Sequence, residues 1–313
     1  MPDADAGFAS IRPFLRRRLT SLFGHRVADD ASPFVAHVYR HPTVGEFAQA
    51  LDFLKRQFRF VTLHEVIAHV RDGRALPDFA LFLSFDDGLR SMIEVVAPML
   101  RRAAIPATFF LTADAVGNRH LFYGLRRSYL IGEADAAGRP ELAAALRAAS
   151  IHTSEGRAAI DRAAETLSVD WRAVLAERRP YMTGEECRAL LEMGFTLGAH
   201  GASHRKFVEL DADARSRELA ASVDFLKSAF GVERPAFAFP HSHEGVEKDW
   251  MAERLAADAG PAIFFGTGGY APGDRVLVHR VGFDRPPGDG GAFDIGARIA
   301  RAYRRAADKY GLP

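Results

Sequence analysis

Short apolar runs alternate along this chain with stretches in which apolar residues return every three or four positions. That switching of period predicts strands alternating with helices. Pro33–Tyr39 reads as a first short strand. Helical spacing follows from Val44 to Phe58, with Phe47, Leu51, Leu54 and Phe58 recurring. Phe60–Leu63 is a second short apolar run, and a helix over His64–Arg71 is ended by Asp72-Gly73. Leu81–Phe85 is almost continuously apolar and stops at Asp86-Asp87-Gly88, as a strand buried on both faces does. A helix over Met92–Ala104 and a strand over Ala107–Leu111 complete a strand–helix–strand unit, which indicates a parallel sheet. Residues 120–180 break the rhythm; rich in Ala and Arg and poor in strand signals, they read as a helical insertion. Strands are expected again at 195–199, 236–240, 262–265 and 276–278, with helices over 214–230 and 293–310.

The chain has 313 residues, enough for one large α/β barrel or two smaller domains. Its formal net charge of +1 gives no general reason to expect nucleic acid as a partner. Cys187 is the only cysteine, so no intramolecular disulfide can form. It lies in a helix-like stretch and reads as a small buried hydrophobe. No apolar run approaches the length of a membrane span, and the N-terminus lacks the apolar core of a secretory signal. These features suit a cytoplasmic chain. Residues 1–32 read as a basic N-terminal arm before the main domain over 33–313. In the arm, Arg12, Arg16, Arg17 and Arg18 mix with Phe14, Leu15, Leu19, Leu22 and Phe23. Such a segment either lies peripherally on the inner membrane face or packs on the domain.

Polar clusters recur where predicted strands end, the place where ligand chemistry gathers in parallel α/β folds. In Ser84-Phe85-Asp86-Asp87-Gly88, two adjacent carboxylates need a compensating partner if half-buried, and a divalent cation is one. The same residues are also ordinary turn chemistry. His200 and His204 are four apart, as on one side of a helical turn, and imidazoles are common zinc ligands. Two His and one Asp leave a coordination position open, whereas the alternative is a pair of surface or capping histidines. Pro240 closes a strand and leaves the His241 backbone N–H available to an oxyanion, or simply terminates the strand. His279 ends a late strand, where it could protonate a leaving amine or be a satisfied structural histidine.

In this order, the segments resemble the polysaccharide deacetylase family, also called NodB-homology or carbohydrate esterase family 4. Ser84-Phe85-Asp86-Asp87-Gly88 is similar to its first motif, and Leu197-Gly198-Ala199-His200-Gly201-Ala202-Ser203-His204 to its second. Ile105–Leu111 resembles its second strand, and Phe237-Ala238-Phe239-Pro240 one version of its third motif. Ala238 and His241 stand where many members carry Arg and Tyr. Leu277-Val278-His279 is similar to the late motif that supplies the general acid, and a related subgroup has an Arg near this place, aligning with Arg280. The resemblance implies a distorted (β/α)7 barrel. It also implies a divalent metal, most commonly Zn2+ with Co2+, Ni2+ or Mn2+ as alternatives, bound by Asp87, His200 and His204. Asp86 would be the catalytic base, His279 the acid, and Pro240-His241 the oxyanion element. The expected substrate is an N-acetylated amino sugar in a polysaccharide, a lipid-linked glycan or a sugar precursor. Formamide, O-acetyl ester or cyclic ureide hydrolysis on the same site is an alternative, as is a catalytically silent glycan-binding protein.

Overall fold

The computed structural model describes residues 2–271 and 275–313, with side chains described from Gly7 onward. In chain order, α1 (Pro2–Leu15), β1 (Thr20–Gly24), α2 (Val44–Gln57), β2 (Arg59–Phe60), α3 (Leu63–Asp72) and β3 (Ala80–Phe85) come first. A π-helical turn (Met92–Val96) runs into α4 (Ala97–Arg102), followed by β4 (Thr108–Leu111). Helices α5 (Tyr123–Ala136), α6 (Pro140–Ala148), α7 (Ser154–Thr166) and α8 (Trp171–Arg178) form the insertion. Then come α9 (Gly184–Glu192), β5 (Thr196–Ala199), α10 (Ala212–Phe230), β6 (Phe237–Ala238), α11 (Lys248–Ala256), β7 (Phe264–Gly266), β8 (Leu277–His279), β9 (Val281–Gly282) and α12 (Ile295–Tyr310).

The strands lie in the order β8-β7-β6-β5-β4-β3-β1-β9, with β2 added beside β3. All these pairings are parallel. The two ends of the sheet, β8 and β9, are one stretch of chain interrupted at Arg280. That stretch therefore closes the sheet into a distorted seven-stranded barrel ringed by helices. Strand alternation divides the core in two. Leu81, Leu83 and Phe85 pack outward with Phe47 and Leu51 of α2 and Leu100 of α4. Ala80 and Phe82 pack inward with Phe110, Phe265 and Val278, and the Phe82 and Phe265 rings stack at 5.0 Å. Helix starts are fixed locally. Thr43 with Glu46, Thr62 with Glu65 and Thr183 with Glu186 each form a reciprocal capping box.

Two expectations fail at the N-terminal end. Pro33–Tyr39 is not a strand. It is turned back by Val35 and Ala36 N–H bonds to Ser32 O, and its apolar residues pack on the insertion, with Phe34 stacked on Tyr129. The first strand is instead Thr20–Gly24, within the segment read as an arm. It pairs with β3 over Leu81–Phe85, so the barrel extends N-terminal of residue 33. Phe8, Ile11 and Leu15 of α1 are buried, with Phe8 edge-on to Phe53 and Phe58. Tertiary burial here outweighs what the basic composition suggested. The insertion is helical as expected, with its own core of Leu130, Ile131, Leu146 and Ile160. Among the described residues, no helix is long and apolar enough to cross a membrane.

Candidate active site

The carboxyl ends of β3 and β5 bring Asp87, His200 and His204 together, with one ligand atom of each within 4.8 Å of the others. Asp87 follows Asp86 into a tight turn and has φ of 75°, an uncommon conformation for a non-glycine residue. Its Oδ1 lies 3.4 Å from His200 Nε2 and 3.1 Å from His204 Nε2. It nevertheless has no hydrogen bond in acceptable geometry and is buried. A buried carboxylate oxygen facing two imidazole nitrogens without a shared proton suits a cation between them. The donor set of two nitrogens and one oxygen fits a divalent metal with an open position.

The histidine spacing of four does not arise from a helix. After β5 the chain bends, and His204 reaches the site through a left-handed φ of 59°. Glu218 of α10 holds this bend, accepting the Ala202 and Ser203 backbone N–H groups at 2.8 and 3.0 Å and the Ser203 hydroxyl. His200 Nδ1–H donates to Ala238 O at 2.9 Å, which leaves Nε2 as the atom that faces Asp87. Gly201, at φ +76°, sits where a Cβ would come within 3.2 Å of the Pro240 ring, so the turn and the Pro240-His241 corner pack directly. Phe122, at the start of the insertion, stacks on the His204 ring at 4.2 Å. His241 lies 4.6 Å from the His204 ring, and its backbone N–H has no acceptor among the described residues. Burial and the neighbouring His204 and His152 push the His241 imidazole down to about 2.

Asp86 points elsewhere. It is 1% exposed and takes a bidentate pair from Arg280 at 2.7 and 2.8 Å. Arg280 is fully buried, also donates to Ser84 Oγ, and lies over the rings of Phe23, Phe110 and Phe265. Burial pushes the Asp86 carboxyl up, but Arg280 and then His200 outweigh it, leaving its pKa below the ordinary value. Within electrostatic reach of Asp86 and Asp87 stands His25, just past β1. It bonds Asp284 at 2.6 Å and stacks on Tyr39, whose ring centre is 5.1 Å away. Burial lowers its pKa, yet Asp87, Asp284 and Asp86 raise it further, to about 9.

Of the residues singled out in the sequence, Asp86, Asp87, His200, His204, Pro240 and His241 meet at this site. His279 does not. Consecutive strand residues point to opposite faces, and Arg280 is the one that faces inward to Asp86. His279 lies with Leu277 on the outer face of β8, where its ring is 4.8 Å from His243 and lines a separate cavity. His25, Asp284, Tyr39, Glu218 and Arg280's pairing with Asp86 escaped sequence reading. A lone His in a basic arm carries no local signal, although a strand signal in Leu22-Phe23-Gly24 would have placed His25 at a strand end.

A family model described as Polysaccharide deacetylase matches residues 73–260, more than half of the chain. No curated protein matches the sequence significantly. Among solved structures, the deacetylase PplD of Streptococcus pyogenes in complex with acetate superposes with a TM-score of 0.58 at 14% identity. That match covers 86% of this chain and 93% of PplD. IcaB of Ammonifex degensii gives 0.56 at 20% identity, covering 91% and 96%. A polysaccharide deacetylase of Bacillus cereus gives 0.56 at 13%, covering 91% and 69%. At these identities the structural matches speak to the fold, and it is the family match over 73–260 that shows that this chain belongs to the polysaccharide deacetylase family.

Proposed function

We propose that the chain is a metal-dependent hydrolase that removes an N-acetyl group from an amino sugar. The observation that carries this is the division of labour between two adjacent carboxylates. Asp87 faces two imidazoles, and Asp86 faces a buried guanidinium. Asp87, His200 and His204 would hold the metal, with Zn2+ the first choice for two nitrogens and a carboxylate. Such an ion supplies positive charge that polarises an acyl carbonyl and acidifies nearby water.

The protein's own groups account for the remaining steps. Asp86 is kept ionised by Arg280 and takes the proton of the water that attacks the amide carbon. The His241 backbone N–H offers a hydrogen bond to the oxygen that becomes negative. His25, whose pKa is raised by Asp87 and Asp284 and which is steadied by its bond to Asp284, gives a proton to the departing nitrogen as the C–N bond breaks. Acetate and a free amine result. Phe122, Tyr123, Ile151 and His152 crowd the space over His204 and His241, which amounts to about 20 Å³, room for little more than one water.

Metal analysis of the purified protein beside His200→Ala/His204→Ala, with acetate release measured on a panel of N-acetylated sugars, tests the reading. About one equivalent of metal and acetate release, both lost in the variant, is the expected result. Wild-type protein that takes up no metal after soaking with zinc would end it.

A further inference from the structure

A second cavity, about 670 Å³, opens beside the barrel mouth between α12 and the carboxyl ends of β7 and β8. Its size is in the range of small-molecule sites. Its chemistry is lopsided. Arg298, Arg301, Arg305 and Lys309 all line it from one stripe of α12, and among the described residues Glu244 is the only acidic one in its wall. Arg301, Arg305 and Lys309 follow one another at intervals of four, a spacing at which like charges repel on a bare helix. Arg301 and Arg305 make no ion pair or hydrogen bond among the described residues. Arg298 is anchored, giving Nε and Nη2 to Gly282 O at 3.0 and 2.8 Å. The opposite face of α12, with Ile295, Ile299 and Tyr303, is buried, so the helix cannot turn its cations away.

This cavity shares walls with the catalytic site. The chain at Arg280 to Gly282 borders it, while the Arg280 side chain runs inward to Asp86. His243, on its rim, is two residues beyond His241, which lies against the metal-site His204. A ligand seated on α12 thus lies one loop away from the acyl-binding position.

We propose that this cavity binds a diphosphate, the anionic part of an amino-sugar substrate linked to a nucleotide or to a lipid. Guanidinium groups set along one wall, with a single described carboxylate in the lining, suit a multiply charged phosphate group better than a single carboxylate. The link between anion and acetyl group rests on the deacetylase reading. The anion site itself does not.

The test uses the full chain and titration calorimetry. Inorganic pyrophosphate is the common probe, with a nucleoside diphosphate and a short isoprenyl diphosphate as the two arms. Arg301→Gln/Arg305→Gln, both exposed and outside the catalytic machinery, is compared with Arg17→Gln/Arg18→Gln, a basic patch outside this cavity. Binding of pyrophosphate, weakened about tenfold or more in the α12 variant and unchanged in the other, is expected. The arm that binds more tightly than pyrophosphate names the carrier. Equal weakening in both variants, no weakening in either, or no binding at all overturns the proposal and leaves a solvated helical face. Binding as expected without acetate release from any N-acetylated diphospho-sugar would instead count against the deacetylase reading alone.

Discussion

The two walls of the catalytic site are built in opposite ways. The metal wall, as we propose it, comes from two short segments in which the candidate residues lie within a few positions of one another, Asp86-Asp87 after β3 and His200–His204 after β5. The facing wall is gathered from both ends of the chain. His25 follows the first strand, while Arg280 and Asp284 flank the last. These meet only because β1 pairs with both β3 and β9 as the barrel closes. A metal wall can be specified by local turns, but the proton-handling wall depends on global closure. Perturbing the second should therefore unsettle fold and chemistry together, and perturbing the first chemistry alone.

The sharpest break of this contrast is Arg280→Ala. Removing one partner of a fully buried pair leaves Asp86 as an uncompensated charge within the barrel. A loss of about 3–5 kcal/mol is expected in urea unfolding, together with most activity. Arg280→Met/Asp86→Asn should recover much of that stability and none of the activity. A single Arg280→Ala variant as stable as wild type would show that barrel closure does not depend on this pair.

Next in size is the proposed acid. His25→Gln should lower turnover by about 100- to 10,000-fold while bound metal stays at the wild-type level. His279→Ala should leave turnover within a few-fold of wild type, since that side chain lines the other cavity. The reverse ranking would restore the role first expected of His279.

The same contrast explains what the sequence disclosed. The strand and helix periods from Val44 to Phe110 are visible because α2 and α3 bury one face each while β3 and β4 are buried on both. The metal wall was legible because a strand-end turn needs small, polar or conformationally permissive residues in fixed order. Its geometry was not. Four-residue spacing suggested a helix, whereas the left-handed φ of His204 and the Glu218 clamp produce the approach. The facing wall was hidden because nothing near His25 says that Asp284, 259 residues away, will bond to it. At Pro33–Tyr39 the apolar pattern was real but served packing on the insertion, and a periodicity does not record which surface it will meet.

A smaller effect tests whether the metal wall stands on local support. Glu218→Gln keeps the side chain's size but weakens its hold on the Ala202–Ser203 backbone. Metal affinity should fall by about 10- to 100-fold, as for other groups that orient ligands, with little change in unfolding. Unchanged affinity would mean that the 200–204 bend holds itself.

The smallest expected change couples the two walls. The pKa of His25 is raised to about 9 in the folded chain against an ordinary 6.5, and the charge of Asp87 is the largest single cause of that rise, beside the hydrogen bond and charge of Asp284. A raised histidine pKa stabilises the fold fully below 6.5, and the contribution is lost as pH climbs through about 9. Metal-free protein should therefore lose stability across that window, and His25→Gln should lose less. A cation on Asp87 offsets the carboxylate's charge, leaving Asp284 and Asp86 to hold the proton. Loading with zinc should consequently lower the His25 pKa, as read from its ring signals in an NMR titration of apo and loaded protein. A downward shift would mean that the metal that activates water also readies the acid across the site to release its proton. No shift would mean that the walls act independently, with Asp284 alone setting the acid.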